Sequence, residues 1–131
     1  MTSHPMASGS FAHASVASCW PSLKRRLSPC PDLEQKVEAL LSTLSLREKV
    51  GQMIQAEIRS VTPEQVQEYR LGSILSGGGA FPGNDKHASV EDWQALADAH
   101  YEASMAPRAG GPAIPVLWGV DAVHGHNNLF G

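Results

Sequence analysis

The sequence contains no apolar run long enough to cross a lipid bilayer. A transmembrane helix needs about 20 consecutive apolar residues, and every apolar stretch of this chain is far shorter. The chain also has no basic patch, because its 10 lysines and arginines are scattered among 13 acidic residues, for a formal net charge of −3. A nucleic-acid-binding surface needs clustered positive charge. Neither a membrane nor a nucleic acid is therefore expected as a partner.

Cysteine is also scarce. Cys19 and Cys30 can form at most one disulfide bond, and nothing in their spacing requires it, so we expect two free thiols. The segment that ends at Cys19 resembles a lipoprotein cleavage site, but the positive residues at 24–26 follow the apolar stretch. A signal peptide has the opposite order. No export signal is predicted, and the localisation stays unknown.

The composition changes near residue 32. Residues 1–31 are rich in Ser, Pro and Ala and show no periodicity, which is typical of a flexible leader. From residue 32 onward apolar residues recur at helical spacing. The sequence therefore predicts a leader over residues 1–31 and a folded segment over residues 32–131.

Four helices are predicted from their opening residues. Three of them start with a Ser, Thr or Asp that is followed three residues later by Glu or Gln, the pattern of a capping box. The pairs are Asp32–Gln35, Ser45–Glu48 and Thr62–Gln65, and a fourth helix opens at Ser89. The third helix has Pro63 at its first helical position and is expected to end near Gly72.

Two short apolar segments, Ser73–Ser76 and Val116–Val120, are predicted to be strands. The fourth helix lies between them, which gives a strand–helix–strand unit. Such units build parallel sheets that are covered by helices. The predicted fold class is therefore α/β, with an incomplete sheet of about two strands.

Three glycines, Gly77 to Gly79, follow the first predicted strand. Successive glycines let a backbone approach a ligand closely. A phosphate-binding loop is excluded because Asn84 and Asp85 stand where Lys and Ser or Thr are needed, and a dinucleotide loop because Pro82 replaces the last glycine. The loop is either a tight turn or the lining of a pocket for another kind of ligand.

A polar segment, residues 121–128, follows the second predicted strand directly. In parallel α/β folds, ligands bind at the carboxyl ends of the strands. The carboxylate, imidazole and amide groups of this segment are suited to hydrogen bonds with sugar hydroxyls. Trp118 or Phe81 would offer an apolar face to a sugar ring, although Trp118 fits a core position equally well.

Two histidines of the same segment raise the possibility of a metal site. His124, His126 and Asp121 could each bind zinc, but zinc usually takes three or four protein ligands. No other cluster of His, Cys, Asp or Glu at ligand spacing supports them. No metal is expected.

Three stretches of the chain resemble glycoside hydrolase family 3, which contains β-glucosidases and exo-β-glucan glucohydrolases. They are LREKVGQM at residues 46–53, LGSILSGGG at 71–79 and IPVLWGVDAVHGHNN at 114–128. The last stretch is the most specific of the three. The resemblance runs in order from about residue 32 to residue 131.

The resemblance implies the N-terminal portion of a (β/α)8 TIM-like barrel, which a second α/β domain follows in the family. It implies a retaining, exo-acting β-glucosidase that acts on β-glucosides or β-glucan oligosaccharides and needs no cofactor. Asp121 would bind hydroxyls of the terminal glucose, with His124, Asn127 and Gly78 as further substrate-binding candidates.

The same resemblance places the catalytic residues elsewhere. In the family the nucleophile and the acid/base follow the part that this chain matches, so no catalytic residue is expected within it. The chain would need the remainder of the barrel and the second domain as partners, and it would be inactive alone. The residues leave a non-catalytic α/β sugar-binding or interaction module open as the alternative.

Overall fold

A small parallel sheet with helices along the chain forms the architecture of this protein. The computed structural model describes residues 30–109, 111–126 and 129, and the chain divides into the units Met1–Cys30 and Pro31–Gly131. The strands are β1 (Gln55–Glu57), β2 (Ser73–Ser76) and β3 (Leu117–Val120), in the order β1–β2–β3. The α-helices are α1 (Pro31–Ser42), α2 (Leu46–Gln52), α3 (Pro63–Tyr69) and α4 (Val90–Ser104), with a short 3-10 helix at Pro82–Asn84.

The α/β class is confirmed, but the prediction of two strands was wrong. Strand β1 pairs in parallel with β2, from Gln55 opposite Ser73 to Glu57 opposite Leu75. Its three residues, Gln-Ala-Glu, include no β-branched or aromatic side chain, so the local sequence carries no strand signal. The strand exists because its backbone completes the sheet beside β2, which is a tertiary effect.

Capping boxes close the starts of α2, α3 and α4: two were predicted, and the third is at Ser89, where the sequence predicted a helix start. In each, the side chain of Ser45, Thr62 or Ser89 accepts a hydrogen bond from the backbone three residues on, and that residue's side chain accepts one in return. The prediction for α1 was wrong by one residue. The helix begins at Pro31, because proline already has the backbone angle of a first helical residue, and Asp32 lies in the first turn instead of before it.

The core lies between the sheet and the helices α3 and α4. Its buried members are Ile58, Val66, Leu71, Ile74 and Ala80, and Trp93 and Leu96 of α4 pack against them. The apolar side chains of α2 are largely exposed, with Leu46 at 79% of its full exposure and Met53, which follows the helix, at 86%. Within the part of the chain that the structure describes, no helix is long and apolar enough to cross a membrane.

Two predicted element boundaries differ from those in the structure. Helix α3 ends at Tyr69, earlier than expected, because Arg70 takes the left-handed conformation that closes the helix. Strand β3 begins at Leu117, one residue later than predicted.

Most of the predicted leader, including Cys19, lies outside the described residues, whereas Cys30 is an exposed free thiol.

Two glycines allow α2 to touch the turn between α3 and β2. The N–H of Gly72 donates to the carbonyl of Gly51 at 3.0 Å. A Cβ atom on Gly51 would collide with the carbonyl oxygen of Tyr69, and one on Gly72 with that of Gln52. Since backbone atoms form the other side of each contact, the neighbours cannot yield by changing a rotamer.

Replacing Gly51 with alanine is therefore expected to destabilise the fold. Overpacking of this kind typically costs about 1–3 kcal/mol, and the midpoint of thermal unfolding should fall accordingly. The matched control is Gly78→Ala, since a Cβ there meets nothing within 4 Å. An equal midpoint for the two variants would show that α2 does not pack against this turn.

The capping carboxylates make the fold sensitive to acid. Hydrogen bonds from the Ser45 backbone and hydroxyl hold the pKa of Glu48 below its ordinary 4.5, and Arg108 and Arg70 add to the effect. The hydroxyl and the backbone of Ser89 likewise lower the pKa of Asp92 below 3.8. Because these pKa values are lower in the folded state, the stabilisation is complete above the ordinary values and is lost as the pH falls through the lowered ones.

Ser45→Ala should reduce this acid sensitivity. Loss of the cap is expected to cost about 1 kcal/mol near neutral pH, and the unfolding midpoint should then fall less between about pH 6 and pH 3 than it does in the parent protein. Thermal unfolding across this pH range measures both effects. Ser42→Ala, which removes an exposed hydroxyl bonded to the carbonyl of Ala39, should leave the pH profile unchanged.

Candidate functional site

The polar segments predicted to bind a ligand lie at one edge of the sheet. Strands β2 and β3 run in parallel from Ser73 opposite Leu117 to Ser76 opposite Val120. The ladder continues by one bond, in which the N–H of Asp121 donates to the carbonyl of Ser76 at 3.0 Å. The glycine loop and Asp121 therefore leave the sheet side by side.

Three predicted substrate-binding residues line one open depression at this edge. Gly78, Asp121 and His124 surround it together with Val123 and Gly125, and its volume is about 330 Å³. The side chains of Asp121 and His124 are exposed, so a ligand in the depression can reach both. Asn127, the fourth candidate, lies outside the described residues.

The glycine loop is a tight turn that also borders the depression. The N–H of Ala80 donates to the carbonyl of Gly77 at 3.0 Å, and Gly79 has a φ of +77°, a conformation that favours glycine. Ala80 is fully buried in the core, which fixes the end of the loop. Gly78 therefore presents backbone alone to the depression.

His124 sits on a second tight turn. The N–H of Gly125 donates to the carbonyl of Ala122 at 3.0 Å, and Gly125 has a φ of +93°. The turn places His124 on the rim of the same depression as Asp121. In the described ranges, no three His, Cys, Asp or Glu side chains lie close enough to hold a metal ion, so Asp121, His124 and His126 do not form such a site.

The two aromatic residues that were considered as sugar-stacking faces lie elsewhere. Trp118 is opposite the buried Ile74 in the sheet, and its ring meets that of His100 edge to face, with 6.1 Å between centroids. Phe81 borders a different depression, beside Ile58 and Arg59. Trp118 therefore packs against His100 while 37% of its surface stays exposed, and neither ring lines the depression of Asp121.

His100 is a packed histidine of α4. It is buried, and its Nδ1 lies 2.8 Å from the carbonyl oxygen of Leu96. Because a carbonyl only accepts, Nδ1 carries the proton in this contact.

Sequence analysis missed Glu57, the last residue of β1. Arg59 holds this carboxylate twice: its backbone N–H donates to Oε2 at 2.8 Å, and its Nε donates to Oε1 at 3.0 Å. Glu57 also borders the glycine loop, since a Cβ on Gly77 would lie 3.7 Å from both Cγ and Oε1 of Glu57. Glu57 could have been found from the sequence only if β1 had been recognised as a strand, because the carboxyl end of β1 lies at the same sheet edge as those of β2 and β3.

Comparison with known proteins identifies the family to which this chain belongs. The profile of the glycosyl hydrolase family 3 N-terminal domain matches residues 45–131. The lysosomal beta glucosidase of Dictyostelium discoideum is 29% identical over 106 residues, which cover 70% of this chain and 12% of that protein.

Solved structures agree with the family profile. The exo-1,3/1,4-beta-glucanase ExoP from a Pseudoalteromonas species superposes with a TM-score of 0.74 and 42% identity, covering 86% of this chain and 14% of that enzyme. A single-site mutant of ExoP superposes with a TM-score of 0.73 and 41% identity, covering 85% of this chain and 18% of the mutant chain. The chain thus spans less than a fifth of the length of these relatives. It belongs to glycoside hydrolase family 3.

Proposed function

We propose that this chain is the substrate-binding N-terminal segment of a retaining, exo-acting β-glucosidase that hydrolyses β-glucosides or β-glucan oligosaccharides. The observation that carries the proposal is the grouping of Gly78, Asp121 and His124 around one open depression at the carboxyl edge of a parallel sheet. The similarity to a lysosomal beta glucosidase and to an exo-1,3/1,4-beta-glucanase supports it.

The fold supports placing this segment at the start of a (β/α)8 barrel. Helices α3 and α4 each join one strand to the next parallel strand, as in the repeating unit of such barrels, which take about 250 residues in all. Leu117 and Val123 are 72% and 80% exposed, as expected for a surface that further strands and helices cover. We propose that the remainder of the protein closes the barrel and contributes the second domain.

Asp121 has the properties of a group that orients a sugar. Its exposed carboxylate can accept hydrogen bonds from two neighbouring hydroxyls, and bonds to a charged group contribute about 1.5–3 kcal/mol each. The imidazole of His124 adds a donor or an acceptor on the same rim. The absence of a side chain at Gly78 leaves room for the ring.

Hydrolysis with retention needs more than this segment provides. It requires a nucleophile and an acid/base, two carboxyl groups about 5–5.5 Å apart across the glycosidic bond. We assign Asp121 to binding and not to bond cleavage, and we assign both catalytic carboxyl groups to the remainder of the protein. The reaction needs no cofactor.

The isolated 131-residue chain is accordingly expected to leave an aryl β-glucoside intact, because it can position glucose but cannot attack the glycosidic bond. Release of the aryl group measures the reaction, and the complete protein is the positive control. Turnover by the isolated chain above background would overturn the assignment of the catalytic groups. An unfolding transition of the isolated chain that shifts with glucose, and no longer shifts in Asp121→Ala, together with inactivity of the complete protein, would favour the non-catalytic sugar-binding module.

In the complete protein, Asp121→Asn should lower kcat/KM for the aryl β-glucoside by about tenfold or more, the equivalent of one lost charged hydrogen bond. The matched control is Asp98→Asn, the same chemical change at an exposed position of α4, which should retain the parent activity. Equal activity of both variants would contradict the role of Asp121.

A further inference from the structure

A second carboxylate lies on the same face of the sheet as Asp121. Directly paired residues of a parallel sheet project to one face, and the pairings place Glu57, Leu75 and Gly119 together. Two residues further along their strands come Gly77 and Asp121, on the same face by alternation. The contact distance of 3.7 Å between a Cβ on Gly77 and Oε1 of Glu57 agrees with this placement.

Beyond the side chain of Leu75, glycines form the strip between the two carboxylates at the sheet edge. Strand β2 separates β1 from β3, and Asp121 lies two residues further along the sheet than Glu57. Two strand spacings of about 4.8 Å and two rises of about 3.3 Å therefore place their Cα atoms about 12 Å apart. The residues that cross this gap at the sheet edge are Gly77 and Gly78, and a Cβ on Gly78 would meet nothing within 4 Å. Glu57 therefore lies beside the glycine loop, across it from the depression of Asp121.

Arg59 fixes the carboxylate of Glu57 but leaves some of the acceptor sites of that carboxylate unoccupied by Arg59. Each oxygen accepts one hydrogen bond from Arg59, whereas a carboxylate offers about four acceptor sites. The side chain of Glu57 remains 24% exposed and that of Arg59 52% exposed. Exposed ion pairs contribute little to folding. The Glu57 carboxylate is thus fixed in position by Arg59 and remains accessible to a ligand.

From this juxtaposition we infer that Glu57 is a second substrate-binding carboxylate, which accepts a sugar hydroxyl across the glycine loop from Asp121. The inference rests on the proposed β-glucosidase function and adds a residue to the same site. Glu57 contributes binding and orientation, and Arg59 acts through Glu57 as a positioning residue.

The test is steady-state hydrolysis by the complete protein, with an aryl β-glucoside and its monodeoxy analogues as substrates. Glu57→Gln should lower kcat/KM for the parent glucoside by about tenfold and leave the unfolding midpoint unchanged. For the one analogue that lacks the hydroxyl bound by Glu57, the variant and the parent protein should be equally active, because the lost interaction is already missing. Glu38→Gln, at an exposed position of α1, is the matched control.

The outcomes separate this inference from the proposed function. If Asp121→Asn impairs hydrolysis while Glu57→Gln does not, the role of Glu57 is wrong and the proposed function stands. A loss in Glu57→Gln that is equal for every deoxy analogue, with a lowered unfolding midpoint, would assign Glu57 a structural role and overturn the inference. If the complete protein does not hydrolyse the glucoside, or if Asp121→Asn has no effect, both proposals fall.

Discussion

The parallel pairing of β2 with a strand on each side is the constraint on which the rest of the structure depends. Ile74, in the middle of β2, is fully buried against the helices, and its two neighbours in the sheet are Ala56 and Trp118. A parallel ladder fixes which residues share a face and which strand ends meet at an edge. Every relation between the glycine loop, Glu57 and Asp121 follows from that register.

Contacts between the ends of the helices keep this ladder in place. Gly51 and Gly72 let the end of α2 meet the turn that leads into β2. Arg70 donates to the carbonyls of Ala106 and Pro107 at 3.1 and 3.2 Å. Arg108, whose side chain is almost wholly buried, pairs with Glu48 at 3.1 Å. The connection that leads from α4 toward β3 is thereby tied to α2 and to the end of α3, which limits the positions that β3 can take.

The candidate site consists of loops that this scaffold brings together. None of its residues is buried: Gly78, Asp121 and His124 are all exposed. Fixed strand ends and two tight turns position them, since Gly79 and Gly125 have the positive φ angles that these turns require. Such a division, in which a rigid sheet holds binding groups on its connecting loops, is the common arrangement in parallel α/β enzymes.

The sequence by itself determined the starts of three of the four helices, two of the three strands and the polar segments at the ends of those strands. These features depend on neighbouring residues: a capping box spans four positions, and an apolar run such as Ser73–Ser76 marks its own strand. It also carried the resemblance to the family, through the segment that contains Asp121. Only the tertiary structure decided that Gln55–Glu57 is a strand, that Trp118 packs against His100, and that Gly78, Asp121 and His124 share one depression. These outcomes depend on pairing and packing between residues far apart in the chain, and a strand of three residues has too little local preference to reveal itself without its partner.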